Sequence, residues 1–449
     1  MHRVLRTFAT QLLKMDAIVL KTTSAVPHDA MTAASVAHAA ALLQADELVA
    51  LPTETVYGLG ASALSAAATA KIYLAKGRPS DNPLIVHVSS LAMLHSLLPG
   101  GAASVPAAYE PLLSRFWPGP LSLLFPLSSP ALPPPARTLA PAVTAGLPSV
   151  AIRMPAHPLA LALIAAADLP IAAPSANLSS RPSPTTAQHV QFDLGSARGV
   201  AAILDGGECV VGVESTVVDF KDGEVRVLRV GGVSAGEIGQ CLSEAGFGGA
   251  VPVWRKDFES GELDSRPTTP GMKYRHYAPT NASVVLVRPE ERSDDVAASN
   301  LPQSLLDLID QLLPPEKAPD TTRRIGLMLT ASTLERLFPT DSPDYFSRPL
   351  SLPPSASPTP TSNASDSSPP PILLSHTLGS TPAEAAQRLF AGLRHFDELP
   401  PENDLAGKSG VDLILVECVP EDGVGGAVME RARKAAAGGD EVRFVLPPR

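Results

Sequence analysis

The chain has 449 residues, of which 45% are hydrophobic, and a formal net charge of −10. This length predicts two domains, and the acidic balance argues against a protein that coats nucleic acid with a basic face. The three cysteines, Cys209, Cys241 and Cys418, are widely spaced. They exclude a disulfide framework and a zinc-finger pattern, and they favour a reducing compartment.

Residues 1–31 form a predicted N-terminal leader. Basic residues and no acidic ones precede Asp16, and hydrophobic residues alternate with them. This pattern is typical of a mitochondrial presequence, and a leader without targeting function fits it equally well. The longest apolar run, from Leu159, is cut at Asp168 and is too short for a membrane span. We therefore expect a cytoplasmic protein, with mitochondria as a second location and no membrane contact.

Alternating helix and strand patterns predict the domain organisation. Residues 32–245 read as one α/β domain around a twisted mixed sheet, and residues 283–449 read as a smaller, Rossmann-like open α/β domain. The second domain is interrupted at 341–371 by a segment rich in Pro and Ser, which predicts disorder. Between the domains, 246–282 is a predicted linker. Its aromatic and cationic stretch TTPGMKYRHYAP (268–279) predicts a lid over a site, with a passive tether as the alternative.

Local signals predict where several elements begin. Thr32 is the expected N-cap of an Ala-rich helix. The spacing of Ser and Glu at 234–237, and of Thr and Glu at 381–384, predicts two capping boxes. The apolar runs PLIVHV (83–88) and VDLILVECV (411–419) predict strands.

GLGASA at 58–63 formally fits the dinucleotide-binding glycine pattern. That fingerprint requires a strand-to-helix turn and an acidic residue about 20 positions later. No Asp or Glu lies between Glu54 and Asp81, and the glycines follow a polar loop. A nicotinamide cofactor is therefore not expected.

Small polar residues and cations recur at the predicted strand ends. Individually, such hydroxyls close turns and such cations favour helix C-termini. Arg153, inside the apolar run SVAIRMP, is harder to explain, because a buried guanidinium requires an anionic partner. A structural carboxylate and a ligand are equally good candidates for that partner. Together, these groups predict a polar crevice suited to a polyphosphate and a carboxylate substrate.

Six motifs carry a family resemblance: PTETVYGLG, KGRPSDNPLIVHV, FWPGPLSLL, VAIRMP, APSANLSS and GVESTVVD. In this order, over about 32–240, they resemble the YrdC-like domain of the threonylcarbamoyl-AMP synthases. The following TPGMKYRHYAP and second α/β unit resemble the long, two-domain form. The resemblance implies that L-threonine, bicarbonate and ATP give threonylcarbamoyl-AMP, pyrophosphate and water. This product serves threonylcarbamoyl modification of adenosine in transfer RNA.

The same resemblance implies site residues. The nucleotide-site pairs regarded as catalytic are Lys76, Arg78, Ser175 and Asn177. The L-threonine-binding set is Thr53, Thr55, His87, Ser149, Arg153, Ala173 and Ser215. The ATP-binding set is Arg78, Asn82, Ser175, Ser183, Arg229 and Tyr277.

Mg²⁺ is expected to arrive with ATP, without metal ligands from the protein. The expected partners are the three substrates, a downstream transfer-RNA threonylcarbamoyl-transferase complex, and transfer RNA or double-stranded RNA in direct contact. Two alternatives stay open. One is a carbamoyl-transfer module like that of hydrogenase-maturation proteins, and the other is a double-stranded RNA-binding or ribosome-assembly protein.

Overall fold

The computed structural model describes residues 17–23, 29–195, 198–249, 251–253, 277–291, 301–314, 322–339, 349–350, 370–400, 409–439 and 441–447. They divide into two compact units. The first takes in the described residues before 277 together with Asp422–Ala427, and the second takes in the rest. Within these ranges, no helix is long and apolar enough to cross a membrane.

The first unit is built on a ten-stranded mixed sheet. Its strands are β1 (Ile18–Lys21), β2 (Leu48–Leu51), β3 (Gly58–Ser62), β4 (Val86–His87), β5 (Leu121–Pro126), β6 (Ser149–Arg153), β7 (Ile171–Ala172), β8 (Val200–Asp205), β9 (Thr216–Lys221) and β10 (Glu224–Arg229). They lie in the order β1-β8-β2-β3-β7-β4-β6-β5-β9-β10. The sheet contains both parallel and antiparallel pairs, so the predicted mixed α/β sheet is confirmed.

Among the described residues of this unit, eight α-helices accompany the sheet. They are α1 (Ala30–Gln44), α2 (Ala66–Lys76), α3 (Leu91–Ser96), α4 (Tyr109–Phe116), α5 (Pro141–Thr144), α6 (Pro158–Ala167), α7 (Ala187–Leu194) and α8 (Ala235–Glu244). Side chains of Asp29, Ser65 and Thr186 cap the first backbone N–H groups of α1, α2 and α7, which explains why these helices begin there. The predicted capping box of Ser234 and Glu237 opens α8.

Two predictions at the N-terminus are wrong. The N-cap of α1 is Asp29, whose carboxylate accepts the N–H of Thr32 at 2.9 Å, while the Thr32 hydroxyl accepts the N–H of Thr23. The predicted leader, 1–31, also contains β1, which pairs in parallel with β8. The folded unit therefore begins before residue 32, because β8 supplies a hydrogen-bonding edge that local sequence does not reveal. Residues 1–16, the proposed presequence, lie outside the described residues.

The strand predicted over 83–88 is reduced to Val86–His87. The two preceding residues make backbone hydrogen bonds outside the strand ladder instead. The N–H of Leu84 donates to the carbonyl of Val143, and the carbonyl of Ile85 accepts from the N–H of Ala173. The short β4 still lies between β6 and β7, with His87 in register with Arg153. This register places two predicted threonine-binding residues side by side.

The glycine-rich GLGAS segment is the buried strand β3, not a phosphate-binding turn. A Cβ on Gly60 would lie 2.8 Å from Leu51 Cδ2 and 3.0 Å from the carbonyl oxygen of Val49. Glycine is therefore needed here for close contact between strands.

The second unit is a six-stranded sheet with its own core. Its strands are β11 (Ser283–Glu290), β12 (Arg324–Thr330), β13 (Pro349–Leu350), β14 (Ile372–Gly379), β15 (Leu413–Glu417) and β16 (Val442–Val445), in the order β13-β14-β12-β15-β11-β16. Its helices are α9 (Leu305–Leu312), α10 (Ala331–Leu337), α11 (Pro382–Glu398) and, from Val428 onward, α12 (Gly425–Ala435). All pairs but that of the edge strand β13 are parallel, which confirms the predicted open α/β sheet.

Sequence signals for this unit agree with the structure where it is described. Thr381 and Glu384 form the predicted capping box of α11, with Pro382 in its first turn. Of the predicted disordered insert, 341–348 and 351–369 lie outside the described residues, whereas Pro349–Leu350 pairs with β14.

Candidate active site

Three loops of the first unit are joined by backbone hydrogen bonds. The loop between β2 and β3 accepts at the carbonyls of Glu54, Thr55 and Tyr57, from Val211, Gly212 and Ala176 at 2.8, 3.1 and 2.8 Å respectively. This central loop therefore connects the loop after β7 with the loop before β9. These loops carry seven of the fifteen site residues predicted from sequence, namely Thr53, Thr55, Ala173, Ser175, Asn177, Ser183 and Ser215.

Arg153, at the end of β6, is buried and makes three contacts. Its Nε donates to the carbonyl of Gly119 at 3.0 Å and its Nη1 donates to Thr55 Oγ1 at 2.9 Å. Its Nη2 lies 2.5 Å from Glu54 Oε1, and the two side chains are only 4% and 8% exposed. Glu54 thus supplies an anionic partner for the buried Arg153 from within the protein.

Glu54 is a site residue that the sequence reasoning missed. Besides the ion pair with Arg153, its Oε2 accepts the N–H of Ala156 at 3.0 Å. Its only sequence signal is its position between Thr53 and Thr55 in PTETVYG, where both hydroxyls were selected and the acid between them was not.

His87 is buried beside Arg153 in the sheet register. Burial, and secondarily the positive charge of Arg153, lower the pKa of His87 from 6.5 to about 3. The imidazole is therefore neutral at physiological pH and suits a hydrogen-bonding rather than a charge-pairing role.

The remaining predicted threonine-binding residues surround the same strands. Thr53 Oγ1 and Thr55 Oγ1 lie 2.8 Å apart. Ser149 is half-buried at the start of β6, and Ala173 N–H donates to Ile85. Ser215 Oγ lies 2.9 Å from Ser122 Oγ, in the adjacent strand β5.

Lys76, the last residue of α2, joins the helix to the loop after β7. Its buried Nζ donates to the carbonyls of Ser175 and Asn177, each at 2.5 Å. Asn177 Nδ2 donates in turn to the carbonyls of Leu178 and Arg181, both at 2.8 Å. The predicted Lys76, Ser175 and Asn177 thus form one connected cluster, in which Lys76 fixes backbone rather than pointing at open solvent.

Arg78 and Asn82 lie in the turn that follows α2. Arg78 donates to the carbonyls of Asn82 and Pro83 at 3.3 and 3.1 Å. The buried Oδ1 of Asn82 has no hydrogen-bond partner among the described residues. An unsatisfied buried acceptor is costly, so this atom is a candidate for contact with a ligand.

The other two predicted ATP-binding residues of the first unit lie near the loop before β9. Arg229, at the end of β10, donates through Nε and Nη2 to the carbonyl of Ser215. Ser183 Oγ donates to Glu214 Oε1 at 2.7 Å. Glu214 is therefore a second buried carboxylate that the sequence reasoning missed, although it lies inside the motif GVESTVVD.

Tyr277 belongs to the second unit. There its ring is buried, with its centroid 5.0 Å from that of Phe390 in α11, and its φ is +65°. This packing differs from an aromatic lid exposed for nucleotide binding. The rest of the predicted lid, up to residue 276, lies outside the described residues.

Two family models match the chain. One, described as "Telomere recombination", matches residues 41–231. The other, described as "Threonylcarbamoyl-AMP synthase, C-terminal domain", matches residues 233–437. Together they span both units.

Two relatives and one solved structure match this chain over most of its length. A threonylcarbamoyl-AMP synthase of Schizosaccharomyces pombe is 39% identical over 411 residues, 88% of this chain and 86% of the relative. That of Bacillus subtilis is 39% identical over 403 residues, 90% of this chain and 93% of the relative. The crystal structure of Pyrococcus abyssi Sua5 complexed with L-threonine matches with a TM-score of 0.66 and 34% identity, covering 96% of this chain and 99% of that one.

Proposed function

The chain belongs to the threonylcarbamoyl-AMP synthase family, and we propose that its first unit makes L-threonylcarbamoyl-AMP from L-threonine, bicarbonate and ATP. Pyrophosphate and water are the other products. The observation that carries the proposal is the central loop between β2 and β3. Through Thr55 it contacts Arg153, and through Tyr57 it bonds to the loop that Lys76 holds. L-threonine bound at Arg153 and ATP bound at the loop that Lys76 holds would therefore lie close together.

The threonine side of the site is assigned to Arg153 and its neighbours. Nη1 and Nη2 of Arg153 each carry a second N–H, so the guanidinium can still receive a carboxylate as a bidentate pair. Support comes from the relative whose structure holds L-threonine. His87, Thr53, Thr55, Ser149, Ala173 and Ser215 complete the proposed threonine-binding set.

The nucleotide side is assigned to the cationic cluster. Arg78 and Arg229 would offset the charge of the triphosphate, and Lys76 would hold the backbone of Ser175 and Asn177 in place to receive it. Asn82 and Ser183 are the proposed polar contacts. The described residues include no group of three or more His, Cys, Asp or Glu that could hold a metal ion. Mg²⁺ is proposed to arrive on the phosphate oxygens of ATP, where it would neutralise charge on the leaving pyrophosphate.

The reaction then divides into two steps. The threonine amine takes up CO₂ derived from bicarbonate to give a carbamate, with release of a proton. A carbamate oxygen next attacks the α-phosphorus in line and displaces pyrophosphate. The residues contribute by positioning both substrates and by stabilising developing negative charge.

The alternatives fit the site less well. The match of the second family model favours a synthase over a carbamoyl-transfer module. Arg153, Lys76 and Arg229 are buried, which suits a small ligand better than the backbone of double-stranded RNA. We also propose that the product passes to a downstream transfer-RNA-modifying complex and that 268–279, with Tyr277, acts as a lid. The proposed location is the cytoplasm, with mitochondria as a second one.

Formation of the adenylate is the direct test. The full chain is incubated with ATP, bicarbonate and labelled L-threonine, and products are separated by chromatography. We expect a labelled adenylate and an equal amount of pyrophosphate, with neither formed when threonine is omitted. Pyrophosphate release that is independent of threonine would contradict the proposal.

A further inference from the structure

Resting on the proposed function, we infer that Asp193 is a positioning residue for the nucleotide side of the site. Asp193 lies in α7, outside the motifs that carry the family resemblance. It contacts the loop after β7 (174–183), which carries the proposed ATP contacts Ser175 and Ser183 together with Asn177. Through these contacts its carboxylate holds the loop in the conformation that receives ATP.

Both carboxylate oxygens of Asp193 contact the loop after β7. Oδ2 accepts the N–H of Leu178 at 3.2 Å, and Oδ1 forms an ion pair with Nη1 of Arg181 at 2.8 Å. The side chain of Asp193 is 0% exposed and that of Arg181 is 14% exposed. Hydrogen bonds to a charged group are stronger than those between neutral groups, and more so where water is excluded. The two contacts are therefore suited to fixing the backbone of the loop.

Lys76 holds the same loop from a second helix. Its Nζ donates to the carbonyls of Ser175 and Asn177, each at 2.5 Å, and its own carbonyl accepts the N–H of Ser179 at 3.0 Å. An ammonium group only donates hydrogen bonds and a carboxylate only accepts them. The cation at the end of α2 therefore binds carbonyls of the loop, and Asp193 in α7 binds a backbone N–H and a guanidinium that Lys76 cannot bind.

Hydrogen bonds inside the loop connect the two residues that Asp193 contacts with Asn177. Asn177 Nδ2 donates to the carbonyls of Leu178 and Arg181, both at 2.8 Å. Between these two residues in sequence, Ser180 has φ +78°, a left-handed conformation that residues other than glycine rarely adopt. Such a conformation persists only where surrounding contacts determine it. Asp193 contacts the loop on both sides of Ser180, so its loss should let the loop relax.

The threonine side of the site is built from other segments. Arg153 contacts Glu54 and Thr55 of the loop between β2 and β3. The two residues of the ion pair and hydrogen bond that Asp193 makes belong to the loop after β7. A change at Asp193 should therefore weaken the binding of ATP and spare that of L-threonine, whereas general destabilisation of the unit would weaken both.

The test measures the dissociation constants of Mg·ATP and of L-threonine by calorimetry with the full chain. Asp193→Asn keeps the shape of the side chain and one acceptor oxygen, and it is expected to weaken Mg·ATP binding at least fivefold. Asp193→Ala removes both contacts and is expected to weaken Mg·ATP binding at least twentyfold. Neither substitution should change the affinity for L-threonine more than threefold.

Thr186→Ala is the matched control in the same helix. The Thr186 hydroxyl accepts the N–H of His189 and caps α7, so this variant weakens the helix and leaves the contacts of Asp193 in place. It should keep wild-type affinity for both ligands. Unchanged Mg·ATP affinity in Asp193→Ala would overturn the inference. An equal loss of both ligands in Asp193→Ala, or a loss of Mg·ATP in Thr186→Ala as large as that in Asp193→Asn, would also overturn it.

Arg181→Met keeps the inference testable if both Asp193 variants fail to fold. It removes the ion pair and leaves the bond from Leu178, so Mg·ATP binding should weaken at least threefold with L-threonine binding unchanged. Unchanged Mg·ATP affinity in this variant would overturn the inference. The proposed function fails separately, when the wild-type chain forms no labelled adenylate, because binding of Mg·ATP is measured without turnover.

Discussion

The Arg153 guanidinium and the Glu54 carboxylate form a buried ion pair, with Nη2 and Oε1 2.5 Å apart. Arg153→Met should destabilise the first unit by about 3–5 kcal/mol, because it leaves Glu54 buried without its partner. The double variant with Glu54→Gln should recover most of this loss, since neither charge remains. Denaturant unfolding of the two single variants and the double variant measures the coupling. Additive losses would mean that the pair contributes nothing as a pair.

Lys76 holds the loop of Ser175 and Asn177 through its Nζ. Lys76→Met should raise the KM for ATP at least tenfold and change threonine affinity less than threefold, because its contacts lie on the proposed nucleotide side. Steady-state kinetics with each substrate varied in turn, together with threonine binding by calorimetry, measure this.

Lys71→Met is the control on the same helix. Its Nζ forms a partly exposed ion pair with Glu47, 2.9 Å away. Such pairs contribute little, so we expect wild-type kinetics. Equal effects of the two substitutions would show that α2 as a whole, and not the Lys76 contacts, controls ATP binding.

The burial of His87 should make the free energy of unfolding of the first unit decrease in acid. Its pKa falls from 6.5 in the unfolded chain to about 3 in the folded one. Below pH 6.5 the unfolded state binds a proton that the folded state does not, so stability is lost as pH falls from 6.5 towards 3. One unit below the unfolded value, at roughly pH 5.5, the loss is about 1.4 kcal/mol.

His87→Gln should remove this component. Comparing the free energies of unfolding of wild type and variant at pH 7 and near pH 5.5 isolates it, because other groups contribute equally to both. A variant that loses as much stability on acidification as the wild type would exclude His87 as the cause.

Gly60 packs against β2, and its replacement tests that role. Gly60→Ala should destabilise the first unit by about 1–3 kcal/mol, because the added Cβ meets Leu51 and the carbonyl of Val49 within 3.0 Å. Gly236→Ala in α8 is the control, since its nearest neighbour would be Ser234 Oγ at 3.9 Å. That substitution should be neutral or slightly stabilising in a thermal melt.

Much of the fold follows from local patterns. The capping boxes at 234–237 and 381–384 are satisfied by residues three positions apart, so the local sequence is sufficient to predict them. The mixed first sheet and the open second sheet follow from alternating helix and strand signals. The motifs also identify the polar residues that gather on the three joined loops of the first unit.

Contacts between segments far apart in sequence determine the features of the fold and of the site that local patterns do not predict. The sequence indicates that Arg153 needs an anion, but only the bond between the loop after β2 and the end of β6 selects Glu54. The same holds for β1, which becomes a strand because β8 provides its partner, and for β4, whose neighbours bond to Val143 and Ala173. Local propensity depends on a few adjacent side chains, whereas pairing of strands and of buried charges depends on which surfaces the whole chain brings together.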